Sequence, residues 1–181
     1  MRCEICCVKK AEKKAPAAAI IDAQSVKTAN HPGIRGFDAG KKVMGRKRHV
    51  VVDTSGLVLG VLITAANLSD QAGARILLKK VALRFGWVRH VWADAGYLGQ
   101  KLLDSIHQLL PARGFRIQVV KRNELHRHSF KVLPRRWVVE RIFAWLSFSR
   151  RFAKDYEVRT DHSAAFIFIA ASRLILKRLA R

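Results

Sequence analysis

The stretch Lys47–Thr64, KRHVVVDTSGLVLGVLIT, limits the possible folds more than any other part of the chain. Two β-branched, apolar runs, Lys47–Asp53 and Leu57–Thr64, flank a Thr-Ser-Gly turn, which is the pattern of a β-hairpin. Asp53 opens that turn and reads as a turn former. Upstream, the apolar run Ala17–Ile21 ends at Asp22 and predicts a buried strand whose carboxylate emerges at its C-terminal edge. Pro32 and the glycines at 33, 36 and 40 make Ala23–Lys42 a surface loop.

Downstream, Ala65–Ser69 leads to Asp70 and then to a helix over Gln71–Phe85, with Ala74, Leu77, Leu78 and Val81 inward and Gly86 as its stop. Val88–Ala93 is the next strand, closed by Asp94, and Ala95–Tyr97 turns into a helix over Gly99–Leu110. A short strand, Phe115–Val120, and a basic loop, Lys121–Arg135, precede two helices, the second capped by Asp161 or Ser163. The alternation predicts an α/β domain with a mixed sheet over residues 18–181, after an unstructured or fragmentary leader over residues 1–17.

The first of those two helices, Pro134–Tyr156, is amphipathic at 3.6 residues per turn. Val138, Ile142, Trp145 and Phe152 form one stripe; Arg136, Glu140, Ser147, Arg151 and Lys154 lie opposite. Glu140 is thus a lone carboxylate among cations. Two readings stand open: an Arg136–Glu140 pair at i,i+4, or a metal ligand on a face that grips a polyanion.

Charge favours the polyanion. The 181 residues carry 35 Lys and Arg against 13 Asp and Glu, a formal charge of +22. A phosphate backbone accounts for that excess better than any small-molecule substrate, with an anionic membrane surface as the weaker alternative. Spanning a membrane is not expected, because the longest apolar run, Ala164–Ala171, falls far short of the roughly 20 residues required. No secretory signal is legible, so the expected location is cytoplasmic. Cys3, Cys6 and Cys7 lack a second Cys/His pair at zinc spacing and read as reduced thiols.

Asp22 and Asp94 each close a predicted strand. If those strands are neighbours, both carboxylates emerge at one edge, where a later helix can bring Glu140. Three such groups on a polyanion-binding surface repel each other unless cations bridge them, and Mg²⁺ is the natural hard, oxygen-seeking ion. Two ions about 3.5–4 Å apart would suit phosphodiester cleavage.

Four ordered segments carry a family resemblance: IIDAQSVKT (Ile20–Thr28), GRKRHVVVDTSGLVLGVLITAANLSD (Gly45–Asp70), WADAGY (Trp92–Tyr97) and RRWVVERIFAWL through KDYE (Arg135–Glu157). Together they resemble the catalytic domain of DDE-type bacterial insertion-sequence transposases. The resemblance implies a ribonuclease-H-like fold, with Asp22, Asp94 and Glu140 as catalytic acids and ligands of two Mg²⁺ ions, Mn²⁺ being the alternative. Arg136 matches the arginine of the signature around the glutamate. Two positions depart from it: Leu133 stands where a tyrosine is frequent, and Ser147 where a lysine is frequent, with Arg150 and Arg151 nearby.

The expected activity is metal-dependent phosphodiester hydrolysis and strand transfer at insertion-sequence ends. The expected partner is double-stranded DNA, both element ends and target, contacted by Arg136, Arg46, Lys47, Arg48, Lys27, Arg150 and Arg151. Only 21 residues precede Asp22, so an N-terminal DNA-recognition region is expected to be lacking or to come from an upstream reading frame. A homodimer is a further expectation. The alternatives are a non-catalytic, basic DNA-binding remnant of a transposase and a general nuclease on the same fold. His49, Trp137 and Trp145 are expected to pack rather than act.

Overall fold

The computed structural model describes residues 17–109, 116–120 and 136–180. The three cysteines, the leader apart from Ala17, and the basic loop Lys121–Arg135 lie outside the described residues. In chain order the elements are β1 (Ala18–Lys27), β2 (Gly36–Asp38), β3 (Val43–Asp53), β4 (Val58–Ala65), α1 (Asp70–Arg84), β5 (His90–Ala93), α2 (Gln100–Leu109), β6 (Arg116–Val119), α3 (Trp137–Ser147) and α4 (Thr160–Leu179).

The sheet is mixed, and β1 is its pivot. On one side β1 pairs antiparallel with β3, from Ala19 opposite Asp53 to Lys27 opposite Gly45. On the other it pairs parallel with β5, which pairs parallel with β6. The outer edge of β3 is shared by β4, along Arg46–Val52, and β2, along Val43–Gly45. The expected hairpin is therefore present and longer than its apolar core. Its turn is locked by Asp53, whose Oδ1 accepts the Ser55 and Leu57 amides at 2.8 Å each. Gly56 completes it at φ +86°, a left-handed conformation that suits glycine.

Alternation along the strands builds two cores. Ala19, Ile21 and Val51 face α1 and α2, where Leu77, Leu78, Val81, Leu102 and Ile106 are buried. Ile20, Val50 and Val52 face α3 and α4, where Val139, Ile142, Leu146 and Ile167 are buried. Burying an aliphatic side chain contributes about 1.5–3 kcal/mol, so each layer is held by its apolar stripe. Helix α1 starts at Ser69, whose side chain accepts the Ala72 amide at 3.2 Å, and it carries Asp70 and Arg84 at the ends where the helix dipole favours them. It lies close on β3 because of Gly73: a Cβ there would stand 2.2 Å from the His49 ring.

Two expectations are corrected. β1 does not stop at Asp22, and Ala23–Lys42 is not all loop. The strand runs on to Lys27 because β3 is long enough to pair it throughout, and Gly36–Asp38 forms a strand as well. The polar Gln24, Ser25 and Lys27 hid this, since hydrophobic alternation fades where the sheet leaves the core. The second correction concerns the helix read over Pro134–Tyr156. It ends at Ser147, and the chain then makes a short 3-10 helix, Arg150–Phe152. Asp155 next bridges to the end of β1, its amide donating to Lys27 O at 2.8 Å and its carbonyl accepting the Ala29 amide at 2.8 Å. Arg151 and Lys154 are therefore not on the helical face of Glu140.

Candidate active site

Asp22 lies at the point where β1 loses one neighbour. β5 pairs with β1 only as far as Trp92 opposite Ile20, and the same register sets Asp94 opposite Asp22. β5 ends one residue earlier, so Asp94 leaves the sheet and caps the short 3-10 helix Ala95–Tyr97, its Oδ1 accepting the Gly96 amide at 2.9 Å. Asp22 shares the sheet face of Ile20, toward α3, and its Oδ1 accepts the Ala23 amide at 2.7 Å. Helix α3 packs on that face through Val138, Val139 and Ile142, which leaves Glu140 exposed at its rim.

Arg136, just before α3, joins the three acids. Its Nη2 lies 3.6 Å from Asp22 Oδ2, 3.8 Å from Asp94 Oδ2 and 3.4 Å from Glu140 Oε1. Sharing that one atom as neighbour, the three carboxylates are within the roughly 10 Å that hydrated ions could bridge. Glu140 is thus the partner of Arg136 at i,i+4 and a near neighbour of Asp22 and Asp94.

One guanidinium does not neutralise three carboxylates. Burial pushes the Asp22 carboxyl up from 3.8 to about 6, and Asp94 adds to the rise. The Ala23 amide, Arg136 and Lys41 oppose it. Lys41, after β2, stands close enough to donate to Ala23 O at 3.1 Å. Beneath the site, burial holds the Tyr97 phenol well above its usual range, and the charges of Asp22, Asp70 and Asp94 add to that.

The donors suit a hard divalent cation: three carboxylates, their charge in excess, and one of them raised by burial, with Asp94 adding to the rise. As placed, no three acidic, His or Cys side chains among the described residues stand close enough to share an ion, because the Arg136 guanidinium sits between them. An ion held by all three requires that side chain to move aside.

The expected phosphate contacts divide sharply. Lys27, Arg150 and Arg151 are exposed, Arg151 pairing with Glu157 and lying 4.1 Å from the Phe166 ring centre. Arg46, Lys47 and Arg48 are buried, and their assignment as DNA contacts is corrected. Arg46 pairs with Asp155 and donates to three backbone carbonyls. Lys47 pairs with Asp70 at 3.0 Å and donates to Leu68 O. Arg48 donates to Phe152 O at 2.9 Å. They lie mid-strand between paired neighbours, so their charge is spent inside the protein. His49 packs as expected, its Nε2 3.1 Å from Thr64 Oγ1 and its pKa pushed down to about 4 by burial. Trp137 departs from expectation, being 42% exposed.

Sequence reading missed Asp155, Lys41 and the pair Arg141 and Arg178. For Arg141 a signal existed: Trp137, Arg141 and Trp145 recur every four residues, one stripe of a helix.

Comparison with known proteins identifies the family and the fold. The chain is 30% identical over 144 residues to the transposase attributed to insertion sequence element IS402 of Burkholderia cepacia, a match covering 76% of this chain and 65% of that protein. The chain thus spans somewhat less than two thirds of the length of that relative. Among solved structures it is similar to a chain of the simian T-cell lymphotropic virus intasome in complex with the PP2A regulatory subunit B56 gamma. That match has a TM-score of 0.53 and 15% identity, covering 84% of this chain and 47% of the other. The likeness bears on the fold alone, which is the expected ribonuclease-H-like mixed sheet flanked by helices. The Transposase DDE domain family matches residues 13–175, nearly the whole chain, and the protein belongs to that family.

Proposed function

We propose that this domain hydrolyses phosphodiester bonds at the ends of an insertion sequence and then directs the freed 3′-hydroxyl to target DNA. The observation that carries the reading is the convergence of Asp22, Asp94 and Glu140, from three separate elements, on one guanidinium in a protein of charge +22. Two Mg²⁺ ions, with Mn²⁺ as substitute, are the proposed cofactors, which when bound supply Lewis-acid charge stabilisation and a water of lowered pKa. Asp22, Asp94 and Glu140 would hold them. Arg136, released from the carboxylates, becomes free to hold a phosphate of the substrate strand. Lys27, Arg150 and Arg151 are proposed as further backbone grips, being exposed cations.

The proposed partner is double-stranded DNA, and the proposed setting is the cytoplasm; no helix among the described residues is long and apolar enough to cross a membrane. A homodimer belongs to the same reading.

Glu140→Gln tests it, because the amide keeps size and hydrogen bonding while removing charge. The variant should lose Mg²⁺-dependent nicking of end-containing DNA. Its stability should change by no more than about 1 kcal/mol, as for an exposed ion pair. Asp22→Asn and Asp94→Asn should be equally inactive, and combinations little worse, since residues acting as a unit are not additive. Nicking by Glu140→Gln at the wild-type rate would overturn the assignment of Glu140, whereas a wild-type protein that binds DNA without nicking it would leave the non-catalytic DNA-binding remnant.

A further inference from the structure

Beside the carboxylate site, one face of the molecule gathers guanidinium groups that meet no acid among the described residues. Helix α3 sets Trp137, Arg141 and Trp145 one above another, and the Arg141 guanidinium carbon lies 4.4 Å and 4.8 Å from the two indole centres. Arg178, near the end of α4, covers Trp145 from 5.0 Å and donates to Ser55 O in the hairpin turn at 3.0 Å. The two guanidiniums bracket Gly56: a Cβ there would stand 3.2 Å from Arg141 Nη2 and 3.6 Å from Arg178 Nη2.

Among the described residues these cations have no acidic partner. Asp53, nearest to the turn, spends its Oδ1 on the Ser55 and Leu57 amides. Arg141 Nε is buried with no hydrogen-bond partner. Two like charges side by side over Trp145 repel. An arrangement of this kind is relieved when both forks share one anion, and a phosphate oxygen set matches guanidinium donors. Stacking on the indoles fixes the guanidinium planes without using their donors. On α3, Arg141 directly follows Glu140, about 100° further round the axis, so the face borders the acid site.

We propose that Arg141, Arg178, Trp137, Trp145 and the Ser55–Gly56 turn form a phosphate-binding surface that takes the backbone of duplex DNA beside the scissile bond. The inference rests on the DNA-directed reading above, but its test needs no catalysis. Binding of the full chain to duplex DNA of random sequence is measured across a salt series with no divalent metal present. Each phosphate contact contributes about 0.9 to the slope of log affinity against log salt. Arg141→Gln or Arg178→Gln should therefore flatten the slope by about one, and the pair by nearly two, while both changed to lysine should retain most of it. Arg84→Gln, on α1 across the sheet, should leave it unchanged.

A slope unchanged in Arg141→Gln/Arg178→Gln would overturn the proposal, including where binding to phosphatidylserine vesicles is lost instead. Affinity lost equally in the glutamine and lysine pairs at constant slope would also overturn it, as a packing effect. Catalysis fails separately, through nicking by Glu140→Gln. A wild-type chain with no salt slope would sink DNA binding as a whole.

Discussion

Two arginines on the same side of the same sheet meet carboxylates in opposite ways. Arg46 is fully buried and meets one acid, Asp155, at 3.2 Å; its remaining donors reach the carbonyls of Ile34, Glu157 and Val158 at 2.6–2.7 Å. Asp155 in turn accepts the Ser163 hydroxyl at 2.6 Å and the Glu157 amide at 3.1 Å. Every strong group is paired at hydrogen-bond distance. Arg136 meets three acids, at 3.4–3.8 Å, and its Nε is buried with no partner. The first cluster is complete and ties the 3-10 segment and the start of α4 to the sheet. The second has negative charge to spare and loose geometry, as a place prepared for added positive charge would. Burial and closed hydrogen bonding mark a structural ion pair; surplus charge at an open rim is what the proposed metal site calls for.

Three results would break or sharpen that contrast. The largest effect belongs to Arg46→Met, which strands Asp155 in the interior and should destabilise the fold by about 3–5 kcal/mol in denaturant unfolding. A variant of unchanged stability but weaker DNA binding would return Arg46 to the surface role that its buried position argues against.

Next comes Asp22→Asn. The folded carboxyl titrates at about 6 against 3.8 in the unfolded chain. Between those values the folded state binds the extra proton, so this group's contribution to stability falls as pH rises, and the full penalty applies above about pH 6. Removing the charge should therefore stabilise the protein by about 3 kcal/mol at pH 7.5, with the gain vanishing toward pH 4. A loss of stability at neutral pH would place Asp22 among the paired, structural acids. The same titration predicts that ion-dependent activity declines as pH falls through about 6, because protons and cations compete for the carboxylate.

The smallest effects fall on Lys27, Arg150 and Arg151. Single changes to glutamine should move stability by no more than about 0.5 kcal/mol, while each flattens the DNA salt slope by up to about one. Arg151 is the sharpest of the three, because its bond to Glu157 competes with any phosphate.

Much of the molecule was legible in residue order. Apolar alternation in VVVD and LVLGVLIT, the Thr-Ser-Gly turn, and the Ser69 cap each act over a few residues, so strands, turn and helix α1 could be read locally. So could the candidacy of Asp22, Asp94 and Glu140, through the motifs around them. Three things were decided only by tertiary structure. The length of β1 depends on a partner strand that pairs it past its apolar end. The end of α3 at Ser147 is accompanied by the docking of Asp155 beside Lys27, a contact between segments well over a hundred residues apart. Above all, Arg46, Lys47 and Arg48 read as cations available to DNA, yet β1 and β4 enclose them and the protein's own helices and loops cover their faces. Charge is a property of the residue, but whether it meets water, a carbonyl or a phosphate depends on what the fold brings against it.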